Sequence, residues 1–210
     1  MLNLLNFLFS IGVNASSKVL PAYLVSRGLS AKAISSIAAC YAVSRGIAPP
    51  LLGRPLDRAP RFVLLFAALV ATAIIAVLAS LSTEVAYLSI IFAVYGISTT
   101  VFYMTINSVA TISHSKQKAR ALARLEVVYQ LGFVVGTAGA ATLSVVFGYR
   151  SIFVFWCATA SIGAVVVLAV TKGKTRARSD SLPSSVRDVA RQLRTGFGTF
   201  AAGITTIGFC

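Results

Sequence analysis

The sequence predicts an all-α polytopic membrane protein, and two features carry that prediction: its composition and the spacing of its apolar residues. Of the 210 residues, 57% are hydrophobic and only 11% are charged. The hydrophobic residues form recurring runs of about 20, the length that an α-helix needs to cross the hydrocarbon core of a bilayer. Because a water-soluble domain could not bury so much apolar surface, we expect the chain to lie in a membrane.

Six apolar runs predict six membrane spans, at about residues 2–24, 33–56, 62–81, 85–112, 125–147 and 151–170. The chain becomes apolar again from Thr195 to Cys210, but these sixteen residues are too few to cross the bilayer. Such an interrupted helix is expected of a chain that continues further. The predicted layout is a six-helix bundle over 1–171, a basic cytoplasmic linker over 172–194 and the beginning of a seventh transmembrane helix over 195–210.

The basic residues predict the orientation of the spans. Nineteen Lys and Arg stand against five Asp and Glu, a formal net charge of +14. They lie in short segments between the apolar runs rather than in one patch, which favours a membrane topology and argues against a nucleic-acid partner. Fourteen of them fall in segments on one side of the membrane, whereas the other side holds Arg27, Lys32 and Arg150. Because cytoplasmic loops collect Lys and Arg, we expect a plasma-membrane protein with its N-terminus in the cytoplasm.

The second half of the linker, Ser184 to Arg194, alternates apolar with basic residues. Ser185 and Asp188 resemble the start of a capped helix. This pattern favours a short amphipathic helix on the anionic inner leaflet, and a plain solvated linker is the alternative.

A charged elbow separates the second and third spans. It reads Gly-Arg-Pro-Leu-Asp-Arg-Ala-Pro-Arg from Gly53 to Arg61, and its glycine predicts a tight turn. Asp57 is one of only five acidic residues, so its place among three arginines indicates a working part. Anchoring at the lipid surface is the alternative for Arg58 and Arg61, but it does not explain Asp57.

Polar residues inside the spans predict which helices face a shared interior, because polar side chains are costly in hydrocarbon. Spans 1, 2, 4 and 5 carry such residues, whereas spans 3 and 6 carry few. The candidate solute-binding residues are Asn14, Lys18, Arg45, Tyr95, Thr99, Tyr103, Asn107 and Gln130. Two polar spans followed by a plain one occur twice, which predicts two inverted three-helix repeats with a site between them.

These candidates also have structural interpretations. Lys18 could reach the membrane interface, and either Lys18 or Arg45 could pair with Asn14 or with a backbone carbonyl. The four candidates of span 4 recur every four residues, so they could instead make hydrogen bonds between helices. If Lys18 or Arg45 contacts a solute, an anionic solute is favoured.

Taken together, these residues resemble the amino-terminal half of a major facilitator superfamily transporter. The signature of that superfamily between spans 2 and 3 has its glycine, aspartate and two basic residues where this chain has Gly53, Asp57, Arg58 and Arg61. Pro60 stands where the family usually has a glycine. The glycine motif of span 5, whose spacing predicts close helix approach, is partly kept as Gly132, Gly136 and Gly139.

The resemblance implies half of a 12-helix fold and the transport of a small solute by alternating access. It implies a cytoplasmic gate at the elbow, with Glu126 near the inner end of span 5 as an acidic partner. The gating residues are then Gly53, Asp57, Arg58, Arg61 and Glu126. The implied partners are the lipid bilayer, a small solute that is anionic if Lys18 or Arg45 contacts it, and a C-terminal six-helix half or a second copy of the chain.

Two other classes of protein compete with a transporter. An enzyme is not expected, because the single histidine, His114, lies in a loop and no HExxH or paired-aspartate motif is present. Neither a cofactor nor a metal site is expected, since Cys40, Cys157 and Cys210 lack the spacing of metal ligands. A non-transporting six-span scaffold or receptor stays open, because a degenerate transporter keeps its helices.

Overall fold

A computed structural model describes residues 1–113 and 117–177, without the side chains of Arg54, Pro55, Asp57, Arg58 and residues 172–177. Within these ranges all regular structure is α-helical. The helices are α1 (Leu2–Ser26), α2 (Ala31–Arg58), α3 (Arg61–Leu81), α4 (Val85–Ser113), α5 (Lys118–Phe147) and α6 (Ser151–Ala177). The prediction of an all-α fold with six helices is confirmed.

Among the described residues, five helices are long and apolar enough to cross a membrane, namely α1, α3, α4, α5 and the Ser151–Thr171 part of α6. Helix α2 is 28 residues long but is less apolar, because Lys32, Arg45 and the pair Pro49 and Pro50 interrupt it. It nevertheless packs along α4, one of the five apolar helices. Its place in the bundle therefore comes from its partner helix rather than from its own apolarity.

The elbow is largely helical, which corrects the predicted tight turn. Helix α2 continues to Arg58 and α3 begins at Arg61, so only Ala59 and Pro60 separate them. Ala59 is extended, with φ −86° and ψ 148°, because a residue before proline is pushed out of the helical region. Gly53 lies inside α2, and a Cβ placed there would meet no atom within 4 Å. Neither a turn nor local packing requires glycine at this position.

Two other helices extend beyond the predicted spans. Helix α5 begins at Lys118 rather than near Leu125, so the basic residues there lie on a helix instead of in a loop. Helix α6 continues to Ala177, past the predicted end near 170. Apolarity marks where the chain lies in hydrocarbon, whereas a helix of charged residues can continue into water. Gly148, at φ 78°, ends α5 just before the short turn to α6.

Two crossed pairs of helices, each joining one of the first three helices to one of the last three, have the most extensive contacts in the bundle. Helix α1 packs along α5 and α2 packs along α4, and α3 lies against α4. In two inverted repeats, α1 corresponds to α4 and α2 corresponds to α5. The contact between α1 and α5 then corresponds to the contact between α4 and α2. The buried Trp156 brings α6 into the core, because its ring lies 4.8 Å from the ring of Tyr95 on α4.

The chain divides into two compact units, Met1–Ala169 and Val170–Cys210. The bundle is the first unit. Of the second unit, the structure describes only the last residues of α6. The predicted amphipathic helix at 184–194 and the predicted seventh helix at 195–210 lie outside the described residues.

Candidate functional site

Two glycines let α5 approach the backbone of α1. A Cβ on Gly132 would lie 2.7 Å from the Cβ of Ser10 and 2.8 Å from the carbonyl oxygen of Phe7. A Cβ on Gly136 would overlap the backbone of Ile11, lying 2.8 Å from its Cα. The predicted close approach is confirmed at these two glycines. Gly139 differs, because a Cβ there would make only an ordinary contact, 3.6 Å from the ring of Phe155.

Hydrogen bonds from α1 side chains to α5 carbonyls reinforce this contact. The Asn6 amide donates to the carbonyl oxygen of Leu125 at 2.7 Å, and the Ser10 hydroxyl donates to that of Tyr129 at 2.6 Å. Both donors lie on one face of α1, one helical turn apart. Each of these two bonds joins α1 to α5, whereas Asn6 Oδ1 and Thr137 Oγ1 of the same pair are buried without a partner among the described residues.

A single glycine on α4 brings α2 equally close. A Cβ on Gly96 would lie 2.6 Å from the carbonyl oxygen of Tyr41 and 3.1 Å from the backbone nitrogen of Arg45. Nearby, the Thr100 hydroxyl donates to the Arg45 carbonyl at 3.3 Å. This approach holds Tyr41 and Arg45 beside α4.

Five residues form what we call the Arg45 cluster, listed as Tyr41, Arg45, Tyr95, Tyr103 and Tyr129. The Arg45 Cζ lies 5.4 Å from the ring centroid of Tyr103, and its Nη1 donates to the Tyr41 hydroxyl at 3.4 Å. The rings of Tyr41 and Tyr95 are 5.2 Å apart, and those of Tyr103 and Tyr129 are 5.6 Å apart. Helices α2, α4 and α5 therefore place a group of tyrosines beside one exposed cation.

The Arg45 cluster contains polar atoms that the bundle leaves unpaired. The hydroxyls of Tyr95 and Tyr103 are buried and have no hydrogen-bond partner among the described residues. They lie near Ser16 and Tyr129, respectively, without reaching hydrogen-bond geometry. Arg45 is exposed, and no carboxylate pairs with it in the part of the chain that the structure describes.

The other candidates on α1 and α4 lie in different surroundings. Asn14 is buried and its amide donates back to the Ser10 carbonyl at 2.9 Å. Thr99 is fully buried and donates to the Gly96 carbonyl at 2.9 Å. Asn107 is exposed. Their contact with a solute stays a prediction, and the bonds of Asn14 and Thr99 are of the structural kind.

Two further candidates lie at the exposed surface of α1 and α5. The Lys18 Nζ is 5.6 Å from the ring centroid of Phe133. The Gln130 amide donates to the Glu126 carboxylate at 2.7 Å. Both side chains are exposed, and neither belongs to the Arg45 cluster.

The gating residues are only partly described. The side chains of Asp57 and Arg58 lie outside the described residues. Arg61 is half-buried at the start of α3, and no ion pair joins it to Glu126 in the described ranges. It lines a cavity of about 50 Å³ whose other walls are Leu56, Leu64, Met104, Thr105 and Ser108. The gating role stays a prediction.

Two members of the Arg45 cluster were not predicted from the sequence. Tyr41 stands four residues before Arg45, so helical spacing alone puts it on the same face of α2. Tyr129 gave no such signal, because its contact with Tyr103 depends on how α5 crosses the bundle. No group of three or more His, Cys, Asp or Glu suited to a metal ion occurs within residues 1–113 and 117–177.

Five long apolar helices, packed together with the less apolar α2, define an integral membrane protein. The chain belongs to the Major Facilitator Superfamily, whose sequence model matches residues 2–210. The resemblance deduced from the elbow and the span 5 glycines is thereby confirmed. That superfamily is a family of membrane transporters.

A curated relative is similar over most of the chain. Multidrug resistance protein 2 of Bacillus subtilis (strain 168) is 26% identical over 167 residues, which are 79% of this chain and 42% of the relative. The chain therefore spans less than half the length of that relative.

Proposed function

We propose that the chain is the amino-terminal half of a solute carrier that works by alternating access and binds its solute against the Arg45 cluster. One observation carries the proposal: Arg45 is a cation within a span, set among tyrosines and without a carboxylate partner in the described part of the chain. Charged side chains are expensive inside a membrane, so they usually mark a site for an ion or a solute.

The exposed surfaces of α2 and α5 support a second six-helix bundle as the partner of this one. Both helices expose large apolar residues: Val43, Ile47 and Leu51 on α2, and Val127, Leu131, Val134 and Val135 on α5. One six-helix bundle cannot enclose a path that opens to both sides. The partner in this proposal is a C-terminal six-helix half or a second copy of the chain.

The gate in this proposal consists of Asp57, Arg58 and Arg61, with Glu126 as a candidate partner. Asp57 would meet the positive N-terminal end of a helix in the other half, and the arginines would pair with acidic groups when the inside is closed. The short turn supports this role. Because only Ala59 and Pro60 separate α2 from α3, the charges lie on helix ends and move with those helices.

The remaining parts of the proposal concern location and solute. The distribution of Lys and Arg supports a plasma-membrane protein with a cytoplasmic N-terminus. The name of the Bacillus subtilis relative, Multidrug resistance protein 2, supports drug-like compounds as solutes. A non-transporting scaffold or receptor is the second candidate, favoured only by the fact that its helices would look the same.

Uptake by liposomes containing the full-length protein tests the proposal. We expect Asp57→Asn to lower the rate of solute uptake by about tenfold, the effect of losing one charge-assisted hydrogen bond, with normal membrane insertion and expression. Glu84→Gln is the matched control, because Glu84 is an exposed acidic residue in the turn between α3 and α4.

Two results would count against the proposal. An unaltered uptake rate in Asp57→Asn would remove the gate. Solute binding without any uptake by the unsubstituted protein would favour the scaffold or receptor.

A further inference from the structure

On the basis of the proposed function, we infer that the Arg45 cluster binds an aromatic carboxylate, a solute with a flat ring system and one negative charge. Candidate solute residues are spread over four helices. Two arginines lie over tyrosine rings in the described part of the chain, Arg45 over Tyr103 and Arg27 over Tyr23, and only near Arg45 are tyrosine hydroxyls buried without a hydrogen-bond partner. Lys18 meets one ring, that of Phe133, and lies outside the cluster.

The guanidinium of Arg45 has capacity for an anion. Its hydrogen bond to the Tyr41 hydroxyl is long, at 3.4 Å, and joins a charged donor to a neutral acceptor. A carboxylate accepts two parallel N–H bonds from a guanidinium, and such charge-assisted bonds are shorter and stronger. Exchange of the tyrosine for a solute carboxylate is therefore favourable, whereas a cationic solute would be repelled.

The tyrosines around Arg45 favour a flat ring over an aliphatic chain. The ring of Tyr103 already meets Arg45 on its face and is edge-on to Tyr129, at an interplanar angle of 75°. Tyr41 and Tyr95 form a second, tilted pair beside it. Offset and edge-to-face contacts stabilise aromatic rings beyond the area they bury, so a solute ring gains contacts here that a saturated ring does not.

The buried hydroxyls add a preference for an acceptor-rich solute. Tyr95 is 2% exposed, and neither its hydroxyl nor that of Tyr103 has a partner among the described residues. A buried donor without an acceptor is costly, and a carboxylate carries only acceptors. The Arg45 cluster thus combines a cation, two unpaired hydroxyls and aromatic surface, which together can bind the carboxylate and the ring of an aromatic carboxylate.

Calorimetric titration of the purified full-length protein in lipid nanodiscs tests this assignment. The probes are naphthoate, its saturated analogue decahydronaphthoate, neutral naphthylmethanol and cationic naphthylmethylammonium. We expect saturable binding of naphthoate and affinities lower by about tenfold or more for the other three.

Matched variants locate the site. Arg45→Gln should weaken naphthoate binding by about tenfold. Arg27→Gln is the control, because Arg27 sits at the end of α1 with nearly the same geometry, 5.6 Å from the ring centroid of Tyr23 and 3.4 Å from its hydroxyl. Its removal should leave the affinity unchanged. If Arg45→Gln fails to fold, Tyr103→Phe, which removes only one hydroxyl, should still weaken binding several-fold.

Equal affinity of Arg45→Gln and the unsubstituted protein, or tighter binding of naphthylmethylammonium than of naphthoate, would overturn the assignment. Equal binding of decahydronaphthoate would overturn its aromatic part. Binding is measured here without transport, so a failure of the solute class and a failure of the proposed carrier give different results. Naphthoate binding with no liposome uptake contradicts the carrier, whereas uptake of other solutes without naphthoate binding contradicts the solute class.

Discussion

The two crossed helix pairs occupy equivalent places in the inverted repeats, yet they are held together differently. In the pair of α1 and α5, two glycines meet the partner backbone and two side chains donate to partner carbonyls. In the pair of α2 and α4, one glycine makes the close approach and Thr100 supplies a longer bond at 3.3 Å. The first pair uses its polar groups for cohesion.

The second pair leaves its polar groups available. Arg45 on α2 and the hydroxyls of Tyr95 and Tyr103 on α4 lack strong partners in the described ranges, and the first pair also leaves two buried atoms unpaired, Asn6 Oδ1 and Thr137 Oγ1. The second pair thus differs from the first in holding a cation beside its unpaired tyrosine hydroxyls. A shared architecture therefore does not imply a shared role for the two crossings.

The largest effect is expected from adding a methyl group to the first pair. Gly136→Ala would place a Cβ against the backbone of Ile11, which cannot move as a side chain can. We expect a loss of about 1–3 kcal/mol in the free energy of unfolding, seen as a lower thermal midpoint in detergent. Gly139→Ala is the control, since its Cβ makes an ordinary contact. Equal midpoints for the two variants would contradict the rigid contact between α1 and α5.

A somewhat smaller loss of stability is expected at the second pair. In Gly96→Ala, the Ser44 side chain can rotate away, but the Tyr41 carbonyl would remain 2.6 Å from the new Cβ. We expect a loss of about 1–2 kcal/mol. Because α2 carries Arg45 and must shift, the affinity for naphthoate should also fall, and by more than in Gly136→Ala, which displaces only Tyr129 among the residues of the Arg45 cluster. Gly46→Ala on the partner helix α2 is the control, with no atom within 4 Å of its Cβ. Unchanged naphthoate affinity in Gly96→Ala would show that the α2–α4 crossing does not position Arg45.

The smallest effect compares single hydrogen bonds across the two pairs. Ser10→Ala removes the bond to the Tyr129 carbonyl and should cost about 0.6 kcal/mol, an average value for such bonds between membrane helices. Thr100→Val removes a longer bond, and its hydroxyl is shared with the Gly96 carbonyl at 2.9 Å, so its cost should be smaller. Chemical denaturation of both variants checks the order. A larger loss in Thr100→Val would reverse the comparison.

Much of the fold followed from hydropathy, and the failures have physical causes. The predicted ends of spans 3 and 4 agree with α3 and α4 to within a residue. The start of α5 was missed because Lys118, Arg120 and Arg124 read as a loop, although charged residues form helix readily outside hydrocarbon. The elbow was misread as a tight turn because glycine suggested one, whereas the restriction before Pro60 ends α2 only at Arg58.

The sequence identified the ionisable and hydroxyl groups of the candidate site, but it did not identify which side chains lie next to them. Arg45, Tyr95 and Tyr103 stood out as polar residues in apolar runs. That Arg45 meets Tyr103, and Tyr103 meets Tyr129, depends on the crossing of three helices. Lys18 and Asn107 stood out equally well, yet they lie outside the Arg45 cluster.

By itself, the order of residues determined the membrane solvent, the six helices, the repeat and the superfamily, because each of these depends on local composition and spacing. The tertiary structure decided which glycines touch a backbone and which polar groups remain unpaired. Those properties arise where helices distant in the chain cross, and a distance between side chains on different helices is not encoded in any single stretch of sequence.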